Sequence, residues 1–228
     1  MKIRFRLPKF DDDSHVALIE RGWIPLREPA NLAVAILLSI PFMVIAALIS
    51  VGIISGVSTI SFEEFGLTPD SFSVRIDLRI ILAIILFVVS HELLHLIFIP
   101  NFLKSRRTFL GLNLLGGFVI TEEEISKSRY VLITIAPFVV ISMILPVILG
   151  VFGLLTSIVK FLIILNAMAS SVDILNLLLI IKQVPKNAIL RNSGPRTYWR
   201  TAHSHSLLGG QRHSGPVLGN QEVAVSVI

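Results

Sequence analysis

The stretch IILAIILFVVSHELLHLIFIP, residues 80–100, decides the fold, because ionisable side chains interrupt an otherwise continuous apolar run. An apolar run of about 20 residues is long enough to cross a hydrocarbon core of about 30 Å as a helix. The interruption is HELLH, residues 91–95, which is an HExxH pattern. On a helix, residues four apart project from one face, so His91 and His95 can hold one Zn²⁺ ion. Glu92 is turned by about 100° and can reach a water activated by that metal.

Composition places the whole chain in a membrane. Of its 228 residues, 54% are hydrophobic and 15% are charged, and the mean hydropathy is +0.81. Soluble domains carry about 25% charged residues. The net charge of +5 comes from basic residues that flank apolar runs, where they orient helices, so we expect no nucleic-acid partner. The chain has no cysteine, and any metal must therefore be held by nitrogen and oxygen ligands.

Four apolar runs predict four transmembrane helices, at residues 30–54, 80–100, 131–152 and 161–181. The predicted fold class is an all-α integral membrane protein. Between the second and third spans, residues 111–120 are apolar, interrupted by glycines and too short to span, which indicates a short hairpin or a re-entrant segment. The predicted domain organisation is a cytoplasmic segment at 1–29, a four-span membrane domain at 30–182 and a cytoplasmic tail at 183–228.

The distribution of basic residues predicts the orientation. They are more frequent before the first span, between spans two and three, and after span four than in the other two connections. The positive-inside rule then places both termini in the cytoplasm, and we expect a prokaryotic cytoplasmic membrane. Beyond about residue 200 the tail has no helical or strand period, so we expect it to be disordered or an extension. Its histidines, His203, His205 and His213, lack the spacing of a buried metal site.

Only four ionisable side chains lie strictly inside the four predicted spans: His91, Glu92, His95 and Asp173. Such residues in a membrane are costly and usually functional. Spans two and four run in the same direction, and His91 and Asp173 lie about 16 and 18 Å along them. Catalytic zinc takes three protein ligands, so Asp173 is the candidate third ligand beside His91 and His95. A protonated Asp173 bonded to a neighbouring helix is the alternative, and the acidic run 122–124 could supply the third ligand instead.

Asn166 and Ser170 share one helix face with Asp173, at i, i+4 and i+7. This polar stripe can line a wet cavity or make hydrogen bonds between helices. The predicted chemistry is metal-assisted hydrolysis of a peptide bond, with Glu92 as the general base that takes the proton of the attacking water. A helical substrate must unwind to be cut, and residues 111–120 offer an edge for pairing with an extended substrate.

The chain resembles the small membrane proteins described as "putative zincin peptidases", which are similar to the site-2 protease group of intramembrane metalloproteases. The resemblance rests on HELLH, on Gly116-Gly117-Phe118, on Ala136-Pro137 and on residues 166–173. It implies that Asp173 completes a site for one zinc ion. It also suggests Asn166 as an oxyanion contact and Gly116 and Gly117 as substrate contacts. The site-2 pattern of Asn followed about eight residues later by Asp-Gly is only partly met, because Ile174 follows Asp173.

Two partners are expected from this reading, a membrane-protein substrate and the lipid bilayer, and the oligomeric state stays open. The alternative function is a non-catalytic membrane scaffold or chaperone that retains the metal site. A metal transporter is disfavoured, because one tight three-ligand site resists release and no second relay of ionisable residues is visible in the spans.

Overall fold

A computed structural model describes residues 2–3, 11–68, 71–72, 77–105, 107–113 and 116–201. Within these ranges, four helical segments are long and apolar enough to cross a membrane. They are Leu32–Val57, Leu78–Ile97, Lys127–Val151 and Ser157–Gln183. The four predicted spans therefore form helices of sufficient length and hydropathy, with boundaries that differ by a few residues. The histidines of the tail and its predicted disorder beyond residue 201 lie outside the described residues.

The helical elements in chain order are α1 (Asp12–Glu20), α2 (Leu32–Val57), α3 (Leu78–Ile97), α4 (Lys127–Pro137), α5 (Leu145–Val151), α6 (Ser157–Ala169) and α7 (Ser171–Gln183). Polar side chains begin three of them, because the first turn of a helix leaves backbone N–H groups without partners. Asn31 accepts from Val34 N–H at the start of α2, and Asp77 accepts from Ile80 N–H at the start of α3. Thr156 does the same for α6.

The third and fourth spans are interrupted helices. A π-helix, Phe138–Ile144, lies between α4 and α5 and begins directly after Pro137. Proline lacks the N–H that an α-helix requires, so a local change of helix type there has a covalent cause. In the fourth span, α6 ends at Ala169 and α7 begins at Ser171. Both interruptions lie beside the candidate metal site described below.

The prediction of an all-α protein is confirmed only in part, because the described residues are mostly helical but also form β-sheets. The strands are β1 (Lys2–Ile3), β2 (Ile24–Pro25), β3 (Leu67–Thr68), β4 (Ser71–Phe72), β5 (Thr108–Asn113), β6 (Gly116–Thr121), β7 (Ile125–Ser126), β8 (Ala188–Ser193) and β9 (Arg196–Thr201). Five of these strands are only two residues long, and β1, β2 and β7 pair with strands far away in sequence. Local periodicity gives little sign of such strands.

The segment between spans two and three is a hairpin, which resolves the choice that the sequence left open. Strands β5 and β6 pair antiparallel, and β1 adds in parallel to β5, giving the order β1-β5-β6. In this sheet β6 is an outer strand, and it packs against α3. The hairpin thus carries its glycine-containing strand to the helix that bears HELLH.

A second sheet joins residues 24–25 to residues 188–201. Its order is β2-β9-β8-β7, so the N-terminal segment pairs with the C-terminal hairpin β8–β9. Leu18, Trp23 and Tyr198 form its small buried core, and His15 Nδ1 lies 2.8 Å from the Tyr198 hydroxyl. Arg200 lies over the Trp23 ring, 4.5 Å from its centroid. This sheet closes the bundle at the end where α7 finishes and α4 begins.

Helix α2 packs along α6 and α7 through small side chains. Ala35, Ser39, Ala46 and Ser50 are buried, and Ser171 Oγ donates to Ser39 Oγ at 3.3 Å. Small residues let helix backbones approach closely in a membrane, where packing rather than the hydrophobic effect drives association. The outer faces of α2 and α3 expose a continuous set of leucine and isoleucine side chains, as a lipid-facing surface requires.

The single basic residue of the connection before span four is buried. Lys160 Nζ donates to Thr59 O at 2.6 Å and to Glu64 Oε2 at 2.8 Å, and only 5% of the lysine side chain is exposed. The ion pair between Lys160 and Glu64 connects the loop after α2 to the first turn of α6. It lies at the opposite end of α6 from Asn166, so it stabilises the bundle without contacting the candidate site.

Candidate metal centre

Three side chains from two spans converge at one point. His91 and His95 on α3 stack edge to face, with ring centroids 5.0 Å apart. Their Nε2 atoms lie 3.4 and 3.6 Å from Asp173 Oδ2 on α7. One ligand atom from each residue falls within 4.8 Å of the others, and this is the metal-compatible group found among the described residues. The structure therefore brings the three sequence-predicted ligands together.

The second nitrogen of His95 is held by a backbone carbonyl. Its Nδ1 lies 2.7 Å from Ile133 O on α4 and donates to that carbonyl, since an oxygen can only accept. Residue 137, four positions later, is proline, which has no N–H to give to this carbonyl. The proline thus leaves Ile133 O available for the imidazole. With the proton on Nδ1, the Nε2 lone pair of His95 points towards Asp173.

An amide holds the second nitrogen of His91. His91 Nδ1 lies 2.8 Å from Asn166 Oδ1, while Asn166 Nδ2 donates to Pro137 O at 3.2 Å and to Ser142 Oγ at 2.9 Å. These contacts require the amide oxygen to face the histidine, so His91 also carries its proton on Nδ1. Ser142 lies in the π-helix, and its hydroxyl donates a hydrogen bond to Ile163 O at 3.2 Å.

Glu92 occupies a cleft that exists because residue 117 has no side chain. Glu92 is buried, with 8% exposed, on the face of α3 next to β6. A Cβ atom at position 117 would overlap Glu92 Cγ and would lie 2.6 Å from its Cδ and Oε1. Glycine is therefore required at 117 by the close approach of the glutamate. Gly116 begins the same strand, paired with Asn113.

The acidic run 122–124, which the sequence left as an alternative source of the third ligand, is used elsewhere. Glu123 Oε1 accepts from Ser105 Oγ at 2.7 Å, and Glu124 accepts from Arg200 Nη2 at 3.1 and 3.2 Å. Neither glutamate belongs to the convergent group. Ser170, on the same helix face as Asn166 and Asp173, is buried, and its Oγ has no hydrogen-bond partner among the described residues.

The donor set fits Zn²⁺. Two neutral imidazoles with fixed tautomers and one carboxylate are a usual set of three ligands for catalytic zinc, which keeps a fourth position open. Each histidine also has an acceptor on its other nitrogen, as zinc-binding histidines almost always do. Sequence reasoning missed Ser142 and the Ile133 carbonyl. The available signals were Pro137, four residues after Ile133, and a serine inside an apolar span.

A family model described as "Putative zincin peptidase" matches residues 84–189. The matched range covers a little under half of the chain and contains HELLH, Gly117, Asn166 and Asp173. The zincin peptidase match indicates a metallopeptidase and implies dependence on zinc. Comparison with curated proteins and with solved structures gives no match.

We expect zinc content and affinity to report the centre directly. His91→Ala and Asp173→Ala should each lose the zinc that the wild-type protein holds, because two remaining ligands bind it too weakly. Asn166→Ala should keep the site but weaken zinc binding about 10- to 100-fold, since it removes the acceptor that orients one imidazole. Metal analysis after competition with a chelator measures both effects.

Glu123→Gln is the control for Asp173→Ala, and Asn192→Ala is the control for Asn166→Ala. Asn192 is likewise engaged by a side chain, because its Oδ1 accepts from the Tyr130 hydroxyl at 3.0 Å, but it lies on strand β8 and outside the convergent group. Both controls should bind zinc as the wild type does. Full zinc retention in Asp173→Ala would contradict the assignment of the third ligand.

Proposed function

We propose that this chain is an intramembrane zinc metalloprotease, similar to the site-2 proteases, that hydrolyses a peptide bond of a membrane protein. The zincin peptidase match supports the coarser class, a metallopeptidase. The observation that carries the finer proposal is the position of the His91, His95 and Asp173 group inside helices long and apolar enough to cross a membrane, with Glu92 beside it.

The roles of the side chains follow from their positions. His91, His95 and Asp173 would hold the zinc ion, which would act as a Lewis acid on a water molecule and on the substrate carbonyl. Glu92 is the general base, which takes a proton from the attacking water on its carboxylate and passes it to the leaving amine nitrogen. Asn166 and the Ile133 carbonyl keep both imidazoles in the tautomer that leaves Nε2 for the metal.

The substrate is proposed to pair with β6 as an extended strand. Peptide bonds in a transmembrane helix are shielded by the helix itself, so a segment of substrate must unwind before it is cut. Strand β6 is an outer strand of its sheet, and its Gly117 contacts the proposed base. An extended segment added at this edge would run next to Glu92, with Gly116 and Gly117 as its nearest backbone contacts. The proposed orientation keeps both termini in the cytoplasm.

Glu92→Gln separates the protease from the scaffold or chaperone alternative. The amide cannot accept the water's proton, so we expect cleavage to fall by at least about 100-fold while one equivalent of zinc stays bound. Cleavage of labelled casein and of synthetic single-span peptides by the purified protein, followed by mass spectrometry, measures the loss. A variant that cuts as fast as the wild type would refute the role of Glu92.

Gly117→Ala tests the position of Glu92 without changing its chemistry. The added methyl group overlaps the glutamate side chain, so we expect a loss of cleavage comparable to that of Glu92→Gln, again with zinc retained. Gly56→Ala is the matched control, because a Cβ there meets nothing within 4 Å. Equal activity of the two alanine variants would show that the close approach at residue 117 has no functional role.

Val119→Pro tests strand pairing of the substrate. Proline removes the backbone N–H of residue 119 and disfavours addition of a further strand. We expect cleavage to be impaired and zinc content to be unchanged. Val119→Thr keeps the amide and the branched side chain and should retain activity. Unimpaired cleavage by the proline variant would exclude pairing at this edge.

A further inference from the structure

A cavity of about 470 Å³ lies where the second span ends and the third begins. Its walls come from the last residue of α3, from the turn 98–104 and from the first turns of α4. Both spans leave the apolar part of the bundle at this level, so the cavity lies at a boundary between hydrocarbon and water. It is separate from the metal centre, whose residues do not line it.

The cavity combines two unpaired cations with an apolar rim. Lys104 and Arg129 are exposed and line it, and within the described part of the chain neither has a carboxylate within ion-pair distance. Beside them, Leu103 is 73% exposed, Ile97 is 58% exposed and Leu132 is 46% exposed. Large apolar side chains next to unpaired positive charges are unfavourable in water but suit the interface of a bilayer.

The turn itself is ordered by packing on its other side. Phe98 and Phe102 pack inward against a buried cluster of Leu96, Ile99, Ile125 and Ile133. Asn101 adopts a left-handed conformation, with φ of 51°, and its carbonyl accepts from the N–H groups of residues 104 and 105. The outward direction of Leu103 and Lys104 is therefore fixed by the turn.

We propose that this cavity binds the head group of an anionic glycerophospholipid. The phosphate would lie between Lys104 and Arg129, and the acyl chains would run along Leu103, Ile97 and Leu132. Charge complementarity selects an anion, and the apolar rim selects a lipid over a free phosphate. The positive-inside orientation would place this lipid in the cytoplasmic leaflet. The site is independent of the proposed protease activity, because it shares no residue with the metal centre.

Native mass spectrometry of the full-length protein in detergent tests the site. Phosphatidylglycerol is titrated against wild type, against Lys104→Gln/Arg129→Gln and against the control Lys182→Gln/Lys186→Gln, which changes the same net charge at the end of α7. We expect binding about 30-fold weaker in the first double variant, from two lost cation contacts, and unchanged binding in the control. Phosphatidylcholine with the same acyl chains should bind both double variants and the wild type alike.

Three results would overturn the proposal. One is equal phosphatidylglycerol binding by wild type and the Lys104→Gln/Arg129→Gln variant. Another is an equal loss in the control variant, which would indicate a general charge effect. The third is displacement of the lipid by inorganic phosphate at comparable concentration, which would make the cavity a site for free phosphate. Zinc content serves as the check that every variant is folded.

Discussion

The site depends on one constraint, which is that the Nδ1–H of each HELLH imidazole must donate a hydrogen bond to an acceptor that holds Nε2 towards Asp173. Ionisable groups inside a membrane are tolerated when they are paired or coordinated. Here the acceptors come from two different spans, Ile133 O on α4 and Asn166 Oδ1 on α6. The helix that carries the motif therefore cannot make the site alone. Its chemistry is fixed by the way spans three and four pack against it.

Pro137 links this requirement to the shape of the third span. It has no N–H to satisfy Ile133 O, and its own carbonyl accepts from Asn166 Nδ2, so a single residue contributes to the orientation of both histidines. The π-helix that follows brings Ser142 within 2.9 Å of the same amide. Short π-helical insertions are frequent at functional sites, and here the insertion contains the serine that accepts from Asn166.

The sequence predicted those features of the fold that depend on residues close together in the chain. The four spans follow from apolar runs, and HELLH with Asp173 follows from the rarity of ionisable residues inside them. Glycines in a short apolar segment between spans two and three indicated either a hairpin or a re-entrant segment, and the pairing of β5 with β6 shows that it is a hairpin. What the sequence did not predict is non-local. The sheet that joins residues 24–25 to residues 188–201 depends on pairings of distant segments, which leave no periodic signal.

Asn166 shows how the sequence can single out a residue and still leave its role open. Its polarity and its helix face marked it, and a family pattern suggested contact with the oxyanion. In the structure its oxygen faces His91 and its nitrogen faces Pro137 and Ser142, and only 3% of the residue is exposed. An amide with both ends engaged in this way can orient a ligand but has no remaining donor directed at a substrate. The sequence shows that residue 166 is an amide inside an apolar span, whereas the hydrogen-bond partners of that amide depend on the packing of three spans.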